Sequence, residues 1–362
     1  MGRSISELLL LVNVIFLSHN HDELSCSSPL KINIFEHKNY QLMITAFYAV
    51  RLHVQGMDDH QCPEDMGTTS KRSLISVEQN WKIFEHTSNS VTFTLYTQKN
   101  PNVGQKLRIN DKKKLKKSNF DASKPTRFVT HGWQSDRHSP PLKLIRFYTP
   151  IAYLSRSDCN VIIVDWSKYS KSLWYLFSTY MVKHRVGENV ARMIDFLYEE
   201  GNLHTKNTTL IGYSLGAHVM GIAGYKTKYK VSYVVGLDPP LLGFLLADSG
   251  ESISKKSGNH VQIMHTNGGF LGDLSTIGHV DFFPNGGKHQ PGCASRKCSH
   301  RRAYELFASS IKTPLKGNQC TSFIKFKAGK CRARGKMARM GGLKLTDKSG
   351  TYYLRTNSKA PY

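Results

Sequence analysis

The chain has 362 residues, with 50 Lys and Arg against 26 Asp and Glu, giving a formal charge of +24 and a pI near 9.7. At 40% hydrophobic and 10% aromatic it can fill one large core or two small ones, which excludes a disordered chain, a collagen and a disulfide mini-protein. A field this positive draws anionic partners, a phospholipid surface or another polyanion, without specifying any chemistry.

From the N-terminus, Leu8–Leu17 reads LLLLVNVIFL, an apolar run with Arg3 before it and polar residues from His19 to Glu23 after it. A membrane-spanning helix needs about 20 apolar residues. The shorter run reads as the core of a signal peptide over residues 1–26, with cleavage near Ser25–Ser28. Residues 27–61 have mixed texture and are assigned as a leader, propeptide or irregular extension, leaving 62–362 as the main domain. No stretch after residue 26 is long and apolar enough to span a bilayer.

From Ser90 onward the texture changes. Runs rich in β-branched and aromatic residues at Val91–Tyr96, Phe128–His131, Val161–Asp165, Thr209–Tyr213, Val231–Leu237 and Val261–His265 predict strands. Helical spacing at Leu142–Ala152 and Val186–Tyr198 falls between them. This alternation predicts an α/β fold with a mostly parallel sheet and crossover helices. Asp111–Lys117, DKKKLKK, reads as a solvated loop between two strands, with docking on an anionic surface as the second reading. No aromatic residues interleave it, and no nucleic-acid partner is expected.

Residues 209–218, TLIGYSLGAH, contain G-x-S-x-G between a β-rich run and a helix of small residues, Leu215–Gly224. That strand, sharp turn, helix arrangement presents a serine at the top of a sheet, and it makes Ser214 the candidate nucleophile. A serine hydroxyl needs an imidazole base held by a carboxylate, in the chain order serine, acid, histidine. Asp165 precedes the serine and is excluded. Asp238, directly after the apolar run Val234–Leu237, is preferred over Asp273 and Asp281. His218 sits on the helix four residues from Ser214 and points the wrong way, while His260, His265, His279, His289 and His300 all lie downstream. Of these, His300 is attractive because a Cys293–Cys298 bridge would fix its loop. The developing oxyanion needs two donors, and the backbone N–H groups of Leu215 and Trp133 are the candidates, with His131 a loop-fixing residue.

Seven cysteines stand at 26, 62, 159, 293, 298, 320 and 331. Cys26 falls at the cleavage zone, which leaves six in an exported chain. The close pairs Cys293/Cys298 and Cys320/Cys331 point to two short staples, and Cys62/Cys159 is what remains for a long one. No zinc-type spacing accompanies these thiols, so neither metal nor organic cofactor is expected. Asn207-Thr208-Thr209 is a glycosylation sequon, usable on an exported chain.

Six segments together resemble the pancreatic lipase family: Phe128–Trp133, Ile211–His218, Gly236–Pro239, His265-Thr266, Gly278–Gly287 and Cys298–Tyr304. They occur in the family's order over Cys62–Tyr362. The resemblance implies an α/β-hydrolase fold and a lipase-type catalytic domain over 62–362. Carried over by position, the family's catalytic serine, aspartate and histidine fall on Ser214, Asp238 and His300, and its oxyanion donors on Trp133 and Leu215. Two departures stand out. Family lipases place a long lid between the cysteines that match Cys293 and Cys298, where only Ala294, Ser295, Arg296 and Lys297 intervene here. The chain also stops at Tyr362, where vertebrate relatives continue into a β-sandwich domain. Both features, with the short loop Thr266–Gly278, are similar to insect phospholipases A1, including wasp venom enzymes. The resemblance implies a secreted, monomeric phospholipase A1 that cleaves the sn-1 ester of phosphoglycerides at a membrane surface, with polyanion binding as an accompaniment. A triacylglycerol or galactolipid lipase, or a non-catalytic lipid-binding protein of the yolk type, are the alternatives.

Overall fold

A computed structural model describes residues 90–134, 149–173, 175–245, 247–331 and 337–362. The expected signal peptide, the extension over 27–61, the start of the 62–362 domain and Cys62 lie outside the described residues.

Eleven strands form one sheet in the order β10-β9-β11-β8-β7-β6-β5-β3-β4-β1-β2. The strands are β1 (Thr92–Tyr96), β2 (Gln105–Leu107), β3 (Thr126–Thr130), β4 (Asn160–Asp165), β5 (Thr208–Tyr213), β6 (Tyr233–Leu237), β7 (His260–Met264), β8 (Val280–Pro284), β9 (Leu315–Gln319), β10 (Met337–Met340) and β11 (Gly350–Leu354). From β4 through β11 the central strands run parallel, and antiparallel pairs close both edges. The central strands are buried on both faces, which is why β4 (NVIIVD) and β6 (YVVGL) read as nearly unbroken apolar runs.

Three long helices cover the sheet: α1 (Gly187–Gly201), α2 (Leu215–Lys226) and α3 (Arg296–Lys312). On α1, Val190, Met193, Ile194 and Leu197 share the buried face and join Val219 and Met220 of α2 in a core against Phe128, Leu210 and Val234. On the opposite face, Ala303, Tyr304 and Phe307 of α3 pack on Val129, Ile163, Ile211 and Val235. Helices on both faces of a parallel sheet bear out the predicted α/β architecture.

The six predicted strands match β1 and β3 to β7 within about two residues at their ends. One expectation is corrected. Asp111–Lys117 is not an open loop: Lys112–Lys116 form one helical turn, capped by the Asp111 side chain accepting from Lys114 N–H at 2.9 Å and anchored by buried Leu115. Cys159 is a free, buried thiol, and Cys62, its expected partner, lies outside the described residues. Burial pushes that thiol up to about 11, and the nearby Arg127 offsets this only in part. The other two staples, Cys293–Cys298 and Cys320–Cys331, are present. For the predicted helix at 142–152, the described part is the last stretch, within a turn of helix at Thr149–Leu154.

Candidate active site

Strand β5 lies between β3 and β6, and from β3 the chain runs outward to β4 before crossing back to β5. The carboxyl ends of β3 and β5 therefore flank the point where the winding direction reverses, the place where open α/β sheets bind ligands. Ser214 follows β5 there, His131-Gly132-Trp133 follow β3, Asp238 follows β6 and Thr266-Asn267 follow β7. Four adjacent strand ends thus supply the site before any helix contributes.

Ser214 sits at φ 55°, ψ −127°, a conformation that strains any residue with a Cβ. The turn is tight enough that a Cβ on Gly212 would meet Gly216 O at 2.0 Å, so glycine is required at both flanks of the serine's turn. Ser214 N–H donates to Leu237 O at 2.9 Å and Ser214 O accepts from Ala217 N–H at 2.9 Å, which bolts the turn to β6 and to the first turn of α2. The serine is half-buried between buried neighbours on both sides, so its hydroxyl faces the cleft.

The Ser214 hydroxyl donates to His300 Nε2 at 2.9 Å, and His300 Nδ1–H donates to Asp238 Oδ2 at 2.5 Å. The Asp238 carboxylate is fully buried. Its other oxygen, Oδ1, accepts the backbone N–H groups of Thr266 at 2.7 Å and Asn267 at 3.0 Å. A buried charge is tolerable only when so partnered. Ser214, Asp238 and His300, named from sequence order and resemblance, are brought together in hydrogen-bonded series, and the other downstream histidines are not part of it. His265 bridges Asp273 O at 2.8 Å and Asp281 Oδ1 at 3.0 Å. His260 approaches Lys348 O, and His279 accepts from Val261 N–H. Tyr213 packs against the His300 ring and is itself met edge-on by Tyr304. Burial, with Tyr304 and Asp238 nearby, raises the Tyr213 hydroxyl well above its ordinary range, so it stays neutral.

His218 does point away from the serine. Its ring accepts Ile253 N–H on Nδ1 at 3.3 Å, donates from Nε2 to Pro240 O at 2.8 Å and stacks on Phe244. Burial pushes it down to about 3, so it is a neutral strut.

The loop after β3 approaches the serine closely: a Cβ on Gly132 would lie 2.7 Å from Ser214 Cβ. His131 is buried, accepts Trp166 N–H on Nε2 at 3.2 Å and donates from Nδ1 to Gly132 O at 3.0 Å. That second bond fixes the Gly132–Trp133 peptide, the one whose N–H is the expected oxyanion donor. The Trp133 indole donates to Ser172 O at 2.8 Å and meets Tyr175 edge-on. Leu215, the other expected donor, is the first residue of α2. Asn207, the candidate glycosylation residue, is exposed in the turn before β5.

The sequence missed how the acid is held. The two N–H donors to Asp238 are backbone groups, and His265 with Asp281 ties their loop to β8, where Gly278 N–H also donates to the Asp281 carboxylate at 3.2 Å. The signal was partly there, since His265-Thr266 and Gly278–Gly287 both carry the family resemblance.

A family model described as Lipase matches residues 55–362. The chain belongs to the lipase family. Human lipoprotein lipase is 34% identical over 276 residues, covering 67% of this chain and 57% of that protein. Rat phospholipase A1 member A is 30% identical over 310 residues, covering 78% of this chain and 65% of the relative. The chain thus matches a little over half the length of the lipoprotein lipases and about two thirds of the phospholipase. Among solved structures, a ferulic acid esterase from Anaeromyces mucronatus overlaps 51% of this chain and 75% of its own, at 15% identity and TM-score 0.29. An α/β-hydrolase from a deep-sea metagenome overlaps 50% and 64%, at 14% identity and TM-score 0.27. The sheet order and the serine turn of this lipase-family chain are those of an α/β-hydrolase. Among the described residues no helix is long and apolar enough to cross a membrane.

Proposed function

We propose that this lipase-family chain is a secreted phospholipase A1, hydrolysing the sn-1 acyl ester of phosphoglycerides at a membrane surface. Ser214 attacks the ester carbonyl as His300 takes its proton, and Asp238 holds the imidazole in the right tautomer and stabilises the imidazolium. The Trp133 and Leu215 N–H groups receive the oxyanion. His300 then protonates the leaving glycerol oxygen, and a water activated by the same imidazole releases the fatty acid.

The observation that carries the choice of phospholipid is the four-residue span between Cys293 and Cys298, which their disulfide closes. So short a span cannot fold over the triad. A bulky polar head group can stay in water at the rim while the acyl chain enters. Leu241, Leu242 and Leu245 follow β6, and Phe270 and Leu271 follow β7, and all five are exposed, offering apolar side chains to acyl groups. The excess positive charge adds long-range attraction to anionic lipid, on the order of 1 kcal/mol for each cation near the surface. Neutral acylglycerol hydrolysis is the second reading, favoured by the identity to lipoprotein lipase. Fatty-acid release from phosphatidylcholine vesicles and from triolein emulsions, at matched interfacial area, separates them. Faster release from triolein would replace the phospholipase reading with the second.

A further inference from the structure

One charged side chain at the mouth has no role in the triad chemistry. Arg296 opens α3 four residues before His300, so it lies one turn away on the same face of the helix, about 6 Å along the axis. Its guanidinium carbon stands 4.0 Å from the centroid of the Phe270 ring, and both residues are exposed. Phe270 belongs to the loop after β7, two residues from Gly272, whose backbone presses on the catalytic acid so closely that a Cβ there would lie 2.5 Å from Asp238 Oδ1. The stacked pair therefore joins the loop that packs on Asp238 to the first turn of the helix that carries His300. The Cys293–Cys298 disulfide and the Ser295 cap, which accepts from Cys298 N–H at 3.1 Å, fix the segment from which Arg296 projects. The ion pairs formed among the described residues leave Arg296 out.

The chemistry of this arrangement is specific. A guanidinium placed over an aromatic ring is held there by cation–π attraction and shielded on that side, and, being exposed, it keeps a fork of N–H donors for an anion. That fork matches two oxygens of a phosphate, and less freedom is lost on binding because the ring already restrains the side chain. In a phosphoglyceride six bonds separate the sn-1 carbonyl carbon from the phosphorus, a reach comparable with the one-turn spacing of Arg296 and His300, so an ester at Ser214 allows the phosphate to meet Arg296.

We infer that Arg296, held by Phe270, recognises the phosphodiester of the substrate and sets the preference for phosphoglycerides over neutral acylglycerols. The inference rests on the phospholipase reading for its substrate and goes beyond it in naming the residue that selects the head group.

The test uses the full chain and p-nitrophenyl butyrate as a reporter of the site. Inhibition constants are measured for two monomeric competitors of equal chain length, octylphosphocholine and the neutral octyl glucoside. Their ratio cancels any loss of active enzyme. Arg296→Ala is expected to weaken octylphosphocholine about tenfold relative to octyl glucoside. Arg296→Lys, which keeps the charge and loses the fork, recovers only part of this, and Phe270→Leu, which frees the guanidinium, loses part of it. Lys312→Ala removes the same charge from the far end of α3 and leaves the ratio unchanged. The inference is overturned if Arg296→Ala moves both constants equally, or if Lys312→Ala matches it, since the effect would then be a diffuse field. Phosphatidylcholine hydrolysis is followed in parallel. If the wild type does not cleave phosphatidylcholine while the Arg296-dependent ratio persists, the phospholipase reading fails and the phosphate site stands. If it cleaves phosphatidylcholine and the ratio ignores Arg296, the reverse holds.

Discussion

Replacing Gly132 by alanine puts one methyl group between Ser214, the proposed nucleophile, and the loop that carries the expected oxyanion donor. The added Cβ would lie 2.7 Å from Ser214 Cβ, 3.1 Å from Tyr213 O and 3.2 Å from Ser214 Oγ, all inside the 3.4 Å at which ordinary contact begins. Ser214 cannot yield, because its strained turn is hydrogen-bonded to β6 and α2. The loop must retreat instead, and it carries the Trp133 N–H with it. Loss of one oxyanion donor typically costs about 3 kcal/mol in the barrier, and a displacement of about 1 Å costs about 100-fold. The expected result with p-nitrophenyl butyrate is a kcat about 100-fold lower with KM within about threefold, since the lost interaction exists only in the transition state. Gly132 lies outside the left-handed region and is buried among residues that His131 still anchors, so thermal unfolding should stay within a few degrees of wild type. A variant with unchanged melting and a kcat within about threefold of wild type would refute the placement of the oxyanion donor on this loop.

Three further outcomes follow from buried groups. His218 is held at about 3 in the fold against an ordinary 6.5. The unfolded chain therefore takes up a proton as pH falls below 6.5 and the folded chain does not until near 3, so stability drops across that window. At pH 5 the loss is about 2 kcal/mol, and urea unfolding of His218→Gln should show a correspondingly smaller difference between pH 7 and pH 5; equal differences would contradict the burial argument. The Cys159 thiol, raised to about 11 and buried, should resist iodoacetamide at pH 8 in the native protein and react after denaturation, read by mass spectrometry of its peptide; rapid native labelling would show an accessible thiol. Removing one partner of a buried pair typically costs about 3 to 5 kcal/mol, so Asp281→Ala, which strips His265 and Gly278 of their acceptor, should destabilise by about that much. It should also lower kcat, because the same loop holds Asp238; a stable, fully active variant would show that the His265–Asp281 strut does not support the acid.

What was legible in the sequence follows the physics of each element. Strands β3 to β7 are buried on both faces, so continuous apolar runs marked them. Strand β8, VDFFP, hides Asp281 and ends on Pro284, and β9 and β10 alternate buried and exposed residues at the sheet edge, so their periodicity was too short to stand out. Ser214 was readable because its turn demands glycines at fixed offsets, and Asp238 because an acid directly after an apolar strand is unusual. His300 was not fixed by pattern, since five histidines lie downstream and only the packing of α3, through His300 and Tyr304, against Tyr213 brings His300 to the serine. The donors to Asp238 are backbone amides, which no side-chain pattern reports. The basic run at 111–117 misled because its charges hid Leu115, the one buried contact that turns it into a helix.

The central claim is that Ser214 hydrolyses the sn-1 ester of a phosphoglyceride. Its most direct test is fatty-acid release from 1-palmitoyl-2-oleoyl-phosphatidylcholine by the wild type and by Ser214→Ala. The account predicts palmitate from the wild type and a loss of about 10⁴-fold or more in the variant. Release of oleate from the wild type, or palmitate release that survives in Ser214→Ala, would contradict it.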